Sequence, residues 1–92
     1  MILSFRGRSL KRFWEKNDAS GLNPQHIRKI EQILDMLERA TRPEDMNLER
    51  LRFHRLSGEN PSRWSVWVNG NWRITFSFDG EDAVAVDYED YH

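Results

Sequence analysis

The dipeptide Asn69-Gly70 is the feature that most constrains how this chain can fold. Both residues tolerate the positive φ angles of a type I′ turn, which joins two antiparallel strands through a two-residue loop. The flanking segments, 64–68 and 71–78, alternate apolar with polar residues, as strands with one buried face do. The sequence therefore predicts a β-hairpin here and an antiparallel sheet around it.

The register of this hairpin predicts which side chains share a face. The two-residue loop pairs Trp67 with Trp72 and Val66 with Arg73. Alternate residues of a strand point to opposite sides, so one apolar set is expected to face the core: Trp72, Ile74, Phe76 and Phe78. The polar set faces the other side: Arg73, Thr75 and Ser77. Arg73 is therefore expected to point away from the helices.

Two further strands are predicted, at 51–56 and at 83–88, and the second follows a three-residue hairpin loop at 79–81. The favoured register places Arg73 opposite Asp87. The apolar pairs that it keeps together are Phe76 with Val84 and Ile74 with Val86. Opposite charges at Arg73 and Asp87 are compatible with a simple cross-strand pair or with a functional site.

Helices precede the sheet. A short strand-like run at 2–5 leads into a basic helix whose apolar face is Leu10, Phe13 and Trp14. A second helix is capped by Asn23, begins at Pro24 and ends near Ala40. Its apolar stripe is expected to pack in the core: Ile27, Ile30, Leu34 and Leu37. His26, in its first turn, is expected to be an exposed surface residue.

Length and composition favour a single α+β domain covering residues 1–92. The chain is 38% hydrophobic and 32% charged, which suits one modest core with a well-solvated surface. Cysteine is absent, and neither a membrane span nor a signal peptide is apparent, so a cytoplasmic location is expected.

Charge is unevenly distributed along the chain, although the net charge is −1. Residues 1–63 carry 13 basic and 9 acidic side chains, whereas residues 64–92 carry 1 and 6. Near the N-terminus five cations face the single acid Glu15: Arg6, Arg8, Lys11, Arg12 and Lys16. This cluster is compatible with a nucleic-acid-binding patch or with an ordinary solvated helix face.

His54 and the ending Asp90-Tyr91-His92 carry the side chains best suited to chemistry. The ending alone is compatible with a solvated polar tail. His54, however, is expected on the same open face as Arg73, and two imidazoles beside a cation are what metal-free RNA cleavage requires.

A metal or other cofactor is not expected. The carboxylates Asp87, Glu89 and Asp90 alternate in direction along one predicted strand. Their spacing matches no recognised cation-binding motif.

The whole chain resembles the HigB toxins, plasmid-maintenance killer proteins of the RelE-like superfamily. The segments that carry the resemblance are 2–5, 10–14, 44–46, 64–66, 70–76 and 87–92. The stretch G-N-W-R-I-T-F at 70–76, together with the ending Y-E-D-Y-H, is the most specific part.

This resemblance implies a RelE-like fold, with two N-terminal helices packed on one face of a small, mainly antiparallel sheet. It implies a toxin of a type II toxin–antitoxin pair that acts as a ribosome-dependent mRNA endonuclease, cutting A-site mRNA without a metal. Two alternatives remain open: an inhibitor that binds RNA or the ribosome without cleaving, and an interaction domain with an inert tail.

The family's catalytic residues fall on five positions of this sequence. His92 and His54 are expected to transfer protons, or His54 to contact phosphate, and Arg73 is expected to stabilise the phosphorane. Asp90 would orient a histidine or the 2′-OH. Tyr91 would stack on the mRNA or hydrogen-bond to it.

The resemblance also implies partners. Contacts with the ribosome and mRNA are expected from the N-terminal cations and from Arg50, Arg52, Arg55 and Arg63. A helix-turn-helix antitoxin, HigA-like, is expected to bind the toxin, and only that complex would contact operator DNA. Trp64 and Val66, expected on the polar side of the hairpin, are candidates for the antitoxin contact, or for cover by the chain's own first strand or tail.

Overall fold

Four strands form one antiparallel sheet in the order β1-β2-β3-β4, with two helices before them in the sequence. The computed structural model describes residues 1–91 of the chain. The elements are α1 (Arg8–Lys16), α2 (Ile27–Arg39), β1 (His54–Leu56), β2 (Arg63–Asn69), β3 (Trp72–Asp79) and β4 (Asp82–Asp90). The predicted α+β class, with helices first and sheet second, is confirmed.

The N-terminal segment adds a parallel contact at the free edge of β4. Ile2 and Phe5 form isolated parallel bridges with Ala83 and Val86, and the Leu3 backbone N–H donates to the Ala83 carbonyl oxygen over 2.8 Å. The strand predicted at 2–5 is thus present as two bridges. The sheet is mainly antiparallel, as expected of a RelE-like fold.

Both helices form where the apolar spacing predicted them. The Asn23 side chain accepts a hydrogen bond from the Gln25 backbone N–H over 2.9 Å, and a 3₁₀ turn at Pro24–His26 leads into α2. Helix α1 buries Leu10 and Phe13, and α2 buries a continuous stripe: Ile30, Ile33, Leu34 and Leu37. None of the helices within residues 1–91 is long and apolar enough to cross a membrane.

The core lies between these helices and one face of the sheet. Val66, Ile74 and Phe76 are fully buried there, and the Trp64 ring stacks on Phe76 with 6.4 Å between ring centroids. Trp64 and Val66 were assigned to the polar side of the hairpin, and that assignment is wrong. Because both residues face the core, neither belongs to the open face on which an antitoxin contact was considered.

The predicted register of the first hairpin is wrong by one residue. Asn69 pairs with Trp72, and a bulge between Trp67 and Asn69 brings Trp67 opposite Arg73. A bulge places two residues of one strand against one of its partner. The shifted register places Trp67 on the face of Arg73, while Val66 and Val68 are buried.

The second hairpin also departs from its predicted register. Asp79 pairs with Asp82, so the loop has two residues and not three. A bulge follows in β4, where Ala85 adopts a left-handed conformation with φ 52°. As a result Arg73 lies opposite Glu89, and not opposite Asp87 as expected.

His26 is buried, so the expectation of an exposed histidine is wrong. Only 4% of the residue is exposed, and its Nδ1 lies 2.7 Å from the Tyr88 hydroxyl oxygen. The imidazole also packs edge-on against the rings of Trp72 and Tyr88. The core face of β3 and β4 therefore supplies both the polar partner and the apolar surroundings that a buried imidazole requires.

Candidate active site

A shallow pocket of about 340 Å³ lies on the sheet face opposite the helices. Its lining comprises Arg52, His54, Leu56, Ser65, Arg73 and Tyr91. Strands β1, β2 and β3 supply lining residues, and Tyr91 directly follows β4. The pocket therefore depends on the pairing of β1, β2 and β3.

Strand pairing explains how these side chains meet. Ser65 in β2 lies directly opposite His54 in β1 and, on its other side, opposite Thr75 in β3. Directly paired residues share a face, and Arg73 is two residues from Thr75 on that same face. His54 and Arg73 are thus brought to one side of the sheet across the width of β2.

Tyr91 reaches the pocket because its backbone is attached to the first hairpin. Its N–H donates to the Asn71 carbonyl oxygen over 2.7 Å, and the residue is 39% exposed while its side chain lines the pocket. The end of β4 is therefore fixed beside the start of β3. The predicted catalytic residue His92 lies outside the described residues.

Asp90 occupies a different position. It pairs with Trp72 at the end of β4, and the alternation of the strand directs it to the side opposite Glu89 and Tyr91. Burial raises the pKa of the Tyr88 hydroxyl, and the charge of Asp90 adds to that shift. The pocket lining described above includes His54, Arg73 and Tyr91 but not Asp90.

Beside the pocket, Arg63 covers the polar side chains of β3. Only 2% of Arg63 is exposed, and its guanidinium donates to Thr75 Oγ1 at 2.8 Å, Ser77 Oγ at 3.2 Å and the Ala85 carbonyl oxygen at 2.9 Å. Arg63 was expected to contact RNA, but its buried guanidinium is engaged within the protein. Buried hydroxyls need partners, and Arg63 is the donor that satisfies them.

Two carboxylates complete this polar layer. Thr75 Oγ1 donates to Glu89, and Asp87 accepts a hydrogen bond from the Tyr88 backbone N–H over 2.9 Å. Burial raises the pKa of Asp87, and the nearby charge of Glu89 raises it further. Among residues 1–91, no group of three or more histidine, aspartate or glutamate side chains is arranged to hold a metal ion.

Comparison with known proteins identifies the family. Residues 3–92 match a family model described as the RelE-like toxin of the type II toxin–antitoxin system HigB. The chain belongs to the HigB-like toxin family. It is also 39% identical to endoribonuclease HigB of Proteus vulgaris over 92 residues, which is the full length of both chains. As a type II toxin, this HigB-like toxin has an antitoxin as its partner.

The HigB-like toxin presents most of its predicted RNA-contacting cations at the surface. Four of them line a shallow depression on α1 together with Glu15: Arg8, Lys11, Arg12 and Lys16. Arg6, Arg50 and Arg55 are also exposed. Arg52 is exposed as well, but it lies in the lining of the candidate active site.

Two residues that line the candidate active site of the HigB-like toxin were not predicted from the sequence. Leu56 is two residues from His54, so strand alternation was a usable signal for it. Ser65 gave no such signal, because the register between β1 and β2 depends on how the six-residue segment 57–62 is accommodated. Arg52 was predicted as a ribosome contact only. Its left-handed backbone, with φ 49°, is not evident from the sequence.

Proposed function

We propose that this HigB-like toxin cleaves mRNA in the ribosomal A site, in the cytoplasm, by metal-free acid–base catalysis. Its endoribonuclease activity follows from its membership of the family and from its full-length similarity to the Proteus vulgaris enzyme. The observation that carries the rest of the proposal is the convergence of His54, Arg73 and Tyr91 on one pocket.

RNA cleavage without a metal needs three functions. A base removes the proton of the 2′-OH, an acid protonates the 5′-leaving oxygen, and a cation offsets the charge of the phosphorane. His54 and His92 are the proposed proton-transfer groups, since imidazole titrates near neutrality. Arg73 supplies the fixed positive charge, and it shares a sheet face with His54.

Asp90 and Tyr91 are assigned supporting roles. The exposed ring of Tyr91 is available to stack on a base of the mRNA or to donate a hydrogen bond to it. Asp90 is exposed at the end of β4, on the other side of the strand from Tyr91, and is assigned to orient a histidine or the 2′-OH from outside the pocket lining.

The proposed partners follow from surface charge and from the family. The exposed cations of α1, together with Arg50, Arg52 and Arg55, are suited to dock on ribosomal RNA phosphates. The antitoxin is proposed to be a HigA-like helix-turn-helix protein. Only the complex of the two proteins would then bind operator DNA.

Primer extension in a purified translation system tests the cleavage proposal. The wild-type toxin is expected to generate discrete 3′ ends within codons of ribosome-bound mRNA. His92→Gln and His54→Gln should each lower the cleavage rate by about 10²- to 10⁴-fold, because each removes a proton-transfer group. Arg73→Met should lower it by about 10²- to 10³-fold through loss of charge stabilisation.

The control variant is Arg39→Met, which removes one exposed cation on α2 and should cleave normally. Each variant should still co-purify with the antitoxin, which verifies its fold. Equal inhibition of translation by the wild type and by His92→Gln would instead support an inhibitor that acts by occupancy.

A further inference from the structure

Trp67 is flanked by two cations at the edge of the candidate active site. Lys29 Nζ lies 4.0 Å from the centroid of the indole ring, and Arg52 Cζ lies 4.2 Å from it. The indole N–H donates to the Gly70 carbonyl oxygen over 2.9 Å, which fixes the ring against its own hairpin. Trp67 thus holds one cation from α2 and one from the segment before β1.

This assembly adjoins the pocket through Arg52 and through Trp67. Arg52 is itself part of the pocket lining, and Trp67 lies directly opposite Arg73 across the β2–β3 pair. Directly paired residues of an antiparallel sheet lie side by side on one face. A chain of positive groups therefore runs from Arg73 through Arg52 to Lys29.

Within residues 1–91, none of the salt bridges involves Lys29, Arg50 or Arg52. Burial lowers the pKa of Lys29, and the charges of Arg50 and Arg52 lower it further. The ion pairs found in this part of the chain involve other cations, namely the N-terminus, Arg12 and Arg42. Three cations that repel one another would be stabilised by a bound anion.

We propose that Lys29, Arg52 and Trp67, with Arg50 beside them, form a subsite for a backbone phosphate of the RNA next to the scissile bond. This inference rests on the proposed function, because it assumes that the scissile phosphate lies at Arg73. An RNA strand leaving the pocket over Arg52 meets Lys29 next.

The arrangement favours a phosphate over a stacked base. A base could stack on Trp67 only by displacing a cation from the ring, and the indole N–H is already engaged with Gly70. A phosphate instead accepts hydrogen bonds from Lys29 and Arg52 while both remain against the ring. Trp67 acts as the support that positions the two cations.

The test compares Lys29→Met with the wild type on an RNA that carries a 2′-deoxy substitution at the scissile nucleotide. Met preserves the apolar contact with Trp67 and removes the charge. RNA affinity should fall on the order of 5-fold, and the slope of log Kd against log salt should decrease in magnitude by about 0.7 to 1. On cleavable mRNA, KM should rise while kcat is retained.

Two further variants separate binding from folding. Arg28→Met removes the neighbouring exposed cation of α2 and should leave both affinity and salt slope unchanged. Trp67→Leu should weaken binding as Lys29→Met does, whereas Trp67→Phe keeps an aromatic face and should bind better than Trp67→Leu. Thermal unfolding of Lys29→Met should match that of the wild type.

The uncleavable RNA is measured both in the A site of programmed ribosomes and free in solution. If Lys29→Met binds the RNA with the same affinity and the same salt slope as the wild type in either setting, the phosphate subsite is overturned. The absence of any RNA binding by the wild type would also overturn it. The proposed function is tested separately. If it is wrong, the wild-type toxin does not cleave mRNA in the A site, whatever the binding measurements show.

Discussion

At the scale of single residues, Arg63 illustrates how the environment determines what a charged side chain does. Arg63 and Arg55 are both arginines near the β1–β2 connection, and both were expected to contact RNA. Arg55 is exposed and donates one hydrogen bond to Ser62 Oγ at 2.8 Å, whereas Arg63 is buried and donates to three oxygens of β3 and β4. Arg63 is therefore expected to stabilise the fold directly.

Arg63→Met should lower the free energy of unfolding by about 2–4 kcal/mol. The substitution leaves the oxygens of Thr75, Ser77 and Ala85 without their donor. The shorter side chain of Met has no N–H group that could replace the guanidinium. Urea denaturation followed by circular dichroism measures the change. Arg55→Met is the matched control and should differ from the wild type by no more than about 0.5 kcal/mol. Equal stability of the two variants would contradict the role given to Arg63.

His26 shows a limit of sequence-based prediction at the same scale. A histidine in the first turn of an amphipathic helix gives no local sign of burial, and its partner Tyr88 is 62 residues away in the sequence. The core positions Ile30, Leu34 and Leu37 were predictable because their 3.6-residue spacing is a local property. A single hydrogen bond between residues far apart in the sequence is not a local property, so it was not predictable in this way.

At the scale of elements, the bulge in β4 determines which side chains meet Arg73. Ala85 takes a left-handed conformation there, and its backbone N–H donates to Ser4 Oγ at 2.9 Å while its carbonyl accepts from Arg63. Without the extra residue, the pairing of β3 with β4 would shift by one position. Arg73 would then lie opposite Tyr88, so the bulge is what brings Glu89 opposite Arg73.

Ala85→Gly should stabilise the fold by about 0.5–1 kcal/mol, because glycine adopts a positive φ without the steric cost that alanine incurs. Part of that gain is offset by the greater entropy of glycine in the unfolded chain. Thermal unfolding measures the difference. Ala83→Gly, two residues earlier at a fully buried position, should instead destabilise by about 0.5–1 kcal/mol. A loss of stability in Ala85→Gly would show that the bulge does not strain Ala85.

Turn chemistry predicted both hairpins but neither register. Asn69-Gly70 identified the region where β2 turns into β3, because these residue types favour turns. The predicted loop residues are wrong by one position, since Asn69 still belongs to β2, the loop is Gly70-Asn71, and Gly70 has the positive φ, 55°. The bulges arise from packing between strands that are distant from the turn, so the dipeptide carries no information about them. His54 and Arg73 were still placed on one face, because strand alternation does not depend on the exact partner.

At the scale of the whole molecule, the uneven charge along the sequence becomes an uneven surface. The exposed cations of α1 form one basic region, while the acidic strand β4 keeps Asp87 and Glu89 partly buried beside Arg63. A net charge of −1 therefore understates the attraction of this surface for phosphates.

The double variant Arg8→Gln/Lys11→Gln should bind ribosomes more weakly than the wild type. The slope of the logarithm of its ribosome affinity against the logarithm of salt concentration should decrease in magnitude by about 0.7–0.9 for each phosphate contact removed. Sedimentation binding at several salt concentrations measures both quantities. Arg28→Gln/Arg39→Gln removes the same charge from α2 and should bind normally. Equal weakening by both double variants would indicate a general charge effect and would contradict a specific docking surface on α1.

The shortness of β1 has a consequence for how the active-site face responds to fluctuation. β1 spans only His54–Leu56, lies at the edge of the sheet and pairs with β2 alone. Edge segments with few hydrogen bonds open at a lower free energy than central strands such as β3. Amide hydrogens of 54–56 should therefore exchange with solvent well before those of 73–77. His54 can then be withdrawn from Arg73 by a local opening that leaves the core intact, so a partner that binds the opened edge would inactivate the toxin without unfolding it.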